Sequence, residues 1–264
     1  RVEVQEDQQP DVAYRGPLIV MTNRVSASAA EIFAAAMQDY GRGLIVGEAH
    51  THGKGTVQTV LELDPILRHY GLRSSAGSVK LTNAMFYRIN GDSTQRRGVT
   101  PDIIFPSYTD AMDIGEEYLE HALPWDQVPP AKYTASQDLA PRVEELRHRS
   151  AERRADSPAF RALDERIALF RRLRSEKAIS LNEERRWASY LEEKRMQEEQ
   201  QRLIKLEPDG GAQDKKPEST ANPDLFLDES LAIMVDLLAP PGSTTTAASD
   251  SSKTIADTAS APAN

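Results

Sequence analysis

The stretch from residue 17 to residue 58 constrains the fold of this chain more than any other. It begins with PLIVMT, an almost continuously apolar run that is typical of a buried parallel strand. An alanine-rich run then predicts a helix from about Ser26 to Tyr40, with Gly41 at a C-cap position. A second apolar run, GLIVG, predicts another strand. This order predicts a β-α-β unit and therefore an α/β fold.

Two serines stand at the start of the predicted helix, and a lysine between two glycines follows the second strand. Unpaired N–H groups and the helix dipole make the first turn of a helix a suitable place to stabilise an oxyanion. A lysine can take the proton of a nearby serine when its surroundings keep it neutral. Ser26 or Ser28 with Lys54 is therefore a candidate nucleophile–base pair. The alternative interpretation is a pair of helix-capping serines and a solvated lysine.

Several motifs resemble the C-terminal processing peptidases, also called tail-specific proteases. They are S-A-S-A-A-E-I with G-K-G-T-V-Q, and N-G-D-S-T-Q with G-V-T-P-D-I, the last two lying at residues 90–103. The motifs I-F-A-A-A-M-Q-D-Y-G-R and A-L-P-W-D favour the large periplasmic members of Gram-negative bacteria. The resemblance covers roughly residues 15–240 and is strongest before residue 126.

This resemblance implies a serine endopeptidase that cleaves proteins from or near unstructured C-termini. Ser28 matches the nucleophile of the family, and Lys54 matches the base. Gln58 matches a residue thought to orient that lysine, and Asp39 matches an aspartate implicated in the large members. The implied catalytic set is Ser28, Lys54, Gln58 and Asp39, with no cofactor and no metal.

Two departures from the family pattern concern this site. Ala30 replaces the third serine of the S-A-S-A-S-E run and leaves the nucleophile unchanged. Residues 48–53 are one residue longer than the usual segment before G-K-G, so the Lys54 loop is expected to sit differently. The first residues lack the features of a signal peptide. We also find no match for the N-terminal helical region, the PDZ domain or the glycine-rich oxyanion loop of the family, and we expect the chain to be a C-terminal part of such an enzyme.

The organisation predicted from these patterns has four parts. Residues 1–108 form part of an α/β protease core with a mixed sheet, and 109–140 form a bridge rich in proline and aromatic residues. Trp125 is expected to pack this bridge onto the core. Residues 141–240 form a mainly α-helical domain, and 241–264 form a disordered, low-complexity tail.

Apolar spacing locates the core-facing sides of the predicted helices. Pro141 suits the first turn of one helix, and the helix after it has an apolar stripe that includes Phe160 and Ile167. A final helix is predicted from Asp224 to Leu238. The side chains predicted to face the core there are Leu227, Leu231, Met234 and Leu238.

Composition excludes several classes of function. The net charge of −9 argues against a general nucleic-acid binder, and the absence of cysteine excludes disulfides and thiolate metal sites. No apolar run reaches the length of a membrane span. The partners implied by the resemblance are polypeptides with unstructured C-termini, an adaptor lipoprotein, and the upstream PDZ and N-terminal regions of the same enzyme. The implied location is the periplasm, with attachment to the inner membrane through the upstream part left open.

Three alternatives stay open at this point. Residues 47–54 resemble a phosphate-binding loop, although their spacing and the glycine after the lysine depart from that motif. Glu48, His50 and His52 lie on an extended segment and are candidate metal ligands. The third alternative is a catalytically incomplete helical module that binds an adaptor.

Overall fold

The computed structural model describes residues 8, 11–71, 75–135, 139–175, 180–191, 194–195, 224–240 and 242. Apart from residue 242, the predicted tail at 241–264 lies outside the described residues. Two 3₁₀ turns lie at Thr109–Ala111 and Glu116–Tyr118, and residues 183–191 are also helical. The strands are β1 (Ile19–Thr22), β2 (Leu44–Gly47), β3 (Thr56–Glu62), β4 (Ser78–Met85) and β5 (Ile103–Ile104). The helices are α1 (Ala29–Asp39), α2 (Asp64–His69), α3 (Ala140–Asp156), α4 (Pro158–Ser175) and α5 (Leu225–Leu238).

A parallel three-stranded sheet in the order β1-β2-β5 forms the centre of the molecule. All of β2 is buried because both faces of the sheet are covered. Side chains alternate along this strand, so Ile45 packs with buried residues of α1 while Leu44 and Val46 point to the other face. The cluster on that other face includes Ile103, Phe105, Leu146 and Ile233. The sheet therefore positions α1 on one side and the helices α3 and α5 on the other.

The strands β3 and β4 form a separate antiparallel hairpin. In β3 only Thr56 is buried, and the following side chains are exposed along the whole strand. Between these strands lies the six-residue helix α2, which has Pro65 in its first turn. The predicted fold class, an α/β core followed by helices, is confirmed. Its parallel and antiparallel strands form two sheets.

The helical part packs directly on the central sheet. Helix α3 has Pro141 in its first turn, as predicted, and α5 contributes Ile233 to the cluster that contains β2. The predicted core-facing side of α5 is wrong, because Leu231 and Leu238 are 55% and 63% exposed. Leu227 is exposed as well, and Met234 is only partly buried.

Charged residues explain why α5 turns this way. Asp236 of α5 forms ion pairs with Arg149 and Arg153 of α3, and Glu229 pairs with Arg153. Both acidic side chains are buried. Apolar spacing alone cannot anticipate that a charged side of a helix faces inward, so it assigns the wrong side to the core. In the described parts of the chain, no helix combines the length and apolarity that crossing a bilayer requires.

Candidate active site

Ser28 occupies a sharp turn between β1 and α1. It is the N-cap residue of α1, with φ 57° and ψ −113°, and its side chain is partly buried. A residue other than glycine in such a conformation costs about 1–3 kcal/mol, and such residues cluster at functional sites. A strained turn from strand to helix is also how a nucleophilic serine is presented in other hydrolases. The backbone therefore favours Ser28 over Ser26 as the candidate nucleophile.

The carboxylate of Glu31 joins the Ser28 turn to the Lys54 loop. This side chain is fully buried. Its Oε2 accepts hydrogen bonds from the N–H of Ser28 at 2.7 Å and from the N–H of Lys54 at 2.9 Å. Its Oε1 accepts from the N–H of Gly53 and from the hydroxyl of Thr51, both at 2.6 Å. One oxygen therefore accepts both backbone hydrogen bonds, so the candidate nucleophile and the candidate base are tied to a single atom.

Sequence reasoning missed this role of Glu31. A glutamate three residues after an N-cap serine has a local explanation, since it completes a capping box. The bond from the Ser28 N–H is the expected half of that box. The other three donors lie beyond β2, between Thr51 and Lys54, and only the fold brings them to the helix start.

Lys54 lies just before β3, and Gln58 is the third residue of that strand. The Lys54 side chain is partly buried, whereas Gln58 is exposed on β3 opposite Thr82, next to an irregularity in the strand pairing. Among the described residues, the side chains of Ser28, Lys54 and Gln58 make no hydrogen bonds with one another. The structure thus brings Ser28 and Lys54 together through their backbones, and the orienting role of Gln58 stays a prediction.

Asp39 lies at the far end of α1, about 16 Å along the helix axis from Ser28. Its carboxylate accepts two hydrogen bonds from the guanidinium of Arg88, at 3.0 and 2.5 Å. Arg88 also donates to the side chain of Gln38 at 2.8 Å. Asp39 therefore does not join Ser28 and Lys54. It ties the end of α1 to the segment that follows β4.

A free backbone donor lies beside the candidate nucleophile Ser28. The N–H of Ser28 is taken by Glu31, and the N–H of Ala30 donates to the carbonyl of Ala27. Within the described part of the chain, the N–H of Ala29 has no hydrogen-bond partner. In serine hydrolases the backbone amide directly after the nucleophile donates to the oxyanion, and the Ala29 N–H has this position relative to Ser28.

The metal-binding alternative is disfavoured, because hydrogen bonds already engage the carboxylate of Glu48, one of its candidate ligands. Both carboxylate oxygens of Glu48 accept hydrogen bonds, from the Arg24 N–H at 2.7 Å, the Ser107 hydroxyl at 2.6 Å and the Thr109 hydroxyl at 2.7 Å. Over the residues that the structure describes, no three His, Cys, Asp or Glu side chains are grouped so that they could hold a metal ion. Glu48 instead ties the end of β2 to the start of the bridge.

The nucleotide alternative is also disfavoured. A phosphate-binding loop uses its backbone N–H groups to hold phosphate oxygens. Here the N–H groups of Gly53 and Lys54 both donate to the Glu31 carboxylate. A buried negative charge therefore occupies the position that an anionic phosphate would need.

Models of two known protein families match parts of this chain. Residues 1–105 match the model of Peptidase family S41, and residues 109–239 match the model of the C-terminal domain of tail specific protease. Residues 1–105 therefore belong to peptidase family S41. The resemblance read from the motifs is confirmed, while the predicted domain limits stay predictions.

Individual S41 relatives show how much of such a protein the chain represents. It is 39% identical to the tail-specific protease of Haemophilus influenzae in an alignment 250 residues long that covers 90% of this chain and 35% of that protein. Identity to the carboxy-terminal-processing protease of Bartonella bacilliformis is 40% over 94 residues, 36% of this chain and 19% of that protein. For the carboxy-terminal processing protease CtpA of Bacillus subtilis it is 37% over 87 residues, 33% of this chain and 16% of that protein. The chain thus spans about a third of the Haemophilus relative.

Proposed function

We propose that this chain carries the Ser–Lys dyad of a serine endopeptidase, with Ser28 as the nucleophile and Lys54 as the general base. The observation that carries the proposal is the Oε2 atom of Glu31, which accepts from the N–H groups of both residues. The strained backbone of Ser28 and the free N–H of Ala29 support it. Membership of peptidase family S41 supports the reaction class.

The reaction proceeds by acyl transfer. Neutral Lys54 Nζ takes the proton from Ser28 Oγ, which attacks a peptide carbonyl carbon, and the negative charge that forms on the oxygen is stabilised by the Ala29 N–H. The tetrahedral intermediate collapses, and the leaving amine takes the proton from Lys54. Lys54 then removes a proton from a water molecule, which attacks the acyl ester. The acid product leaves, and the proton returns to Ser28 Oγ.

Two accessory roles belong to the same proposal. Gln58 would orient the Lys54 side chain when substrate is bound. A glycine-rich loop, which the family resemblance implies, would supply the second oxyanion donor.

The substrates proposed are polypeptides cleaved from or near an unstructured C-terminus. The support is the name of the Haemophilus relative, a tail-specific protease. Matched substrates with a free or a structured C-terminus test this point. Location in the periplasm is part of the proposal, and cell fractionation of the native protein tests it.

Substitution of the dyad in the full-length protein tests the proposed chemistry. Ser28→Ala and Lys54→Ala should each lower kcat/KM on an unfolded protein substrate by about 10³-fold or more. Ser26→Ala is the matched control and should retain most of the activity. Thermal unfolding of each variant checks that the fold is intact. Unchanged cleavage by both dyad variants would show that the proposal is wrong.

The pH dependence of cleavage gives a second test. Because a general-base amine accepts a proton only in its neutral form, the rate should rise with pH. A rate that stays flat from about pH 5 to pH 9 would contradict a general-base role for Lys54.

The adaptor-binding alternative for the helical part stays a separate prediction. Helix α5 shares the cluster of Ile233 and Phe226 with the central sheet, so this part also stabilises the protease core. A pull-down with the full-length Ser28→Ala variant distinguishes the two roles, because an adaptor would still bind the inactive enzyme.

A further inference from the structure

The Lys54 loop has a second anchor, on the side away from Glu31. Gly55 directly follows Lys54, and its N–H donates to Gln95 Oε1 at 2.9 Å. Gln95 is fully buried. Its amide nitrogen donates to Glu116 Oε1 at 3.2 Å and to the carbonyl of Leu123 at 3.1 Å. A chain of hydrogen bonds therefore runs from the bridge to the residue after the candidate base.

Glu116 also contacts the loop before Lys54. Its N–H donates to the carbonyl of His52 at 2.8 Å, and the N–H of His52 donates to the carbonyl of Ser26 at 2.9 Å. The other carboxylate oxygen of Glu116 lies 4.0 Å from Nδ1 of His52. The loop is thus fixed by Glu116 at residue 52 and, through Gln95, at residue 55.

The packing around Gly55 leaves no slack in this anchor. A Cβ placed on Gly55 would meet the backbone nitrogen of Gln95 at 2.6 Å and the Ser93 hydroxyl at 2.8 Å. The Ser93 segment is itself held by the bridge, since Trp125 Nε1 donates to the Ser93 carbonyl at 2.9 Å. Arg97 stacks over the same indole ring at 3.7 Å. The predicted packing of Trp125 is confirmed, and it holds the Ser93 segment against which Gly55 packs.

We infer that Gln95 and Glu116 are positioning residues that set where Lys54 stands relative to Ser28. Glu116 lies outside residues 1–105, which match the peptidase family, and inside the region that matches the C-terminal domain of tail specific protease. That domain would therefore complete the catalytic geometry as well as cover the sheet. The inference rests on the proposed function of Ser28 and Lys54.

The expected effect follows from how proton transfer depends on distance. Lys54 Nζ must come within hydrogen-bond reach of Ser28 Oγ. Glu31 holds the loop from the nucleophile side, and the Gln95–Glu116 pair holds it from the bridge side. With one anchor removed the loop can shift, and a misplacement of about 1 Å is enough to slow catalysis by about a hundredfold.

Substitutions of Glu116 in the full-length protein test the inference. Glu116→Ala should lower kcat by about ten- to a hundredfold with little change in KM, because the base moves while substrate-binding surfaces stay in place. Glu116→Gln keeps an acceptor for Gln95 and should restore kcat to within about threefold of the parent. Glu120→Ala, on an exposed residue of the same segment, is the matched control.

An exchange of donor and acceptor keeps the test decisive if Glu116→Ala fails to fold. Gln95→Glu alone opposes two carboxylates and should lower kcat. The double variant Gln95→Glu/Glu116→Gln restores the donor–acceptor pair with residue 116 and still offers an acceptor to Gly55. Because it loses the donor to the Leu123 carbonyl, it should regain only part of the lost kcat. Thermal unfolding identifies which variants are folded.

The outcomes separate this inference from the proposed dyad. If Ser28→Ala stays active, the proposed function is wrong. If Ser28→Ala is inactive while folded Glu116→Ala keeps the parental kcat, only the positioning role is wrong. The positioning role is also wrong if Glu116→Gln is as slow as Glu116→Ala, or if the double variant is folded but no faster than Gln95→Glu.

Discussion

The two halves of the candidate dyad come from regions that are built in opposite ways. Ser28 follows β1 of the parallel sheet, where the neighbouring strand β2 is buried along its whole length. Lys54 precedes the β3–β4 hairpin, where every residue of β3 after Thr56 is exposed. Burial of apolar side chains fixes the first region. An isolated two-stranded hairpin is only marginally stable in water, so the second region must be fixed at its base.

This difference assigns distinct tasks to apolar and polar residues. The core places the candidate nucleophile, while the buried side chains of Glu31 and Gln95 place the candidate base by accepting hydrogen bonds from the backbone of residues 53–55. Substitutions that disturb the loop anchors should therefore impair catalysis more than their effect on global stability suggests. Substitutions far from the loop should lower global stability more than they impair catalysis.

The largest effect is expected from Glu31, which links the two regions. Glu31→Ala leaves four donors without their acceptor and should lower kcat/KM by about 10²- to 10³-fold and stability by about 3 kcal/mol or more. Glu31→Gln keeps one of the two acceptor oxygens, so its kcat/KM and its stability should fall between those of the parent and of Glu31→Ala. Cleavage kinetics and urea unfolding measure the two effects. Glu62→Ala, on an exposed glutamate of β3, is the control.

Two glycine substitutions distinguish the effect of the Lys54 loop position from the effect of local backbone strain. Gly55→Ala forces a Cβ against Gln95 and should lower kcat by about ten- to a hundredfold. Gly71→Ala, in the connection between β3 and β4, meets no atom within 4 Å but has φ 78°. It should cost about 1 kcal/mol of stability and leave kcat unchanged. Equal kcat values for both variants would show that the loop position does not limit the reaction.

The pair of Asp39 and Arg88 tests the region that the loop does not touch. Removing either partner leaves a largely buried charge and should cost about 3 kcal/mol of stability. The double variant Asp39→Ala/Arg88→Ala should be less destabilised than the two single losses combined, because the partners are coupled. A loss of kcat much greater in Asp39→Ala than in Arg88→Ala would instead assign Asp39 a direct part in catalysis.

The smallest effect concerns Asp110, in the bridge beside the end of β2. Burial raises the pKa of Asp110 above its ordinary value of 3.8, although the N–H of Ala49 opposes this. The folded protein therefore holds this proton more tightly than the unfolded chain. Protonated Asp110 therefore contributes stability that is fully present below pH 3.8. This contribution is lost as the pH rises through the raised pKa and the carboxyl ionises.

Asp110→Asn removes the ionisable carboxyl and therefore the loss of stability that its ionisation causes. The melting temperature should rise slightly at pH 7, and the gain should shrink toward zero as the pH falls to about 3. Thermal unfolding across this range measures it, with Asp11→Asn, on an exposed aspartate, as the control. A gain that is the same at both pH values would contradict the effect of burial.

The sequence was informative where the relevant contacts are local or periodic. Apolar runs predict β1 and β2, and alanine-rich spacing predicts α1 with its N-cap serine. Contacts between distant segments carry no such pattern. The three donors that Glu31 gathers from residues 51–54, and the link from Gln95 to Glu116, exist only after the strands have paired. The core-facing side of α5 was missed for a related reason, because its buried side is held by ion pairs to α3.

Active-site labelling tests the central claim most directly. An activated phosphonate should form a covalent adduct with the full-length protein, and peptide mapping by mass spectrometry should place it on Ser28. Lys54→Ala and Glu31→Ala should both slow its formation by about a hundredfold or more, because one lacks the base and the other lacks its anchor. An adduct on Ser26, or formation at the parental rate in folded Glu31→Ala, would contradict the claim that Glu31 holds Ser28 and Lys54 in catalytic register.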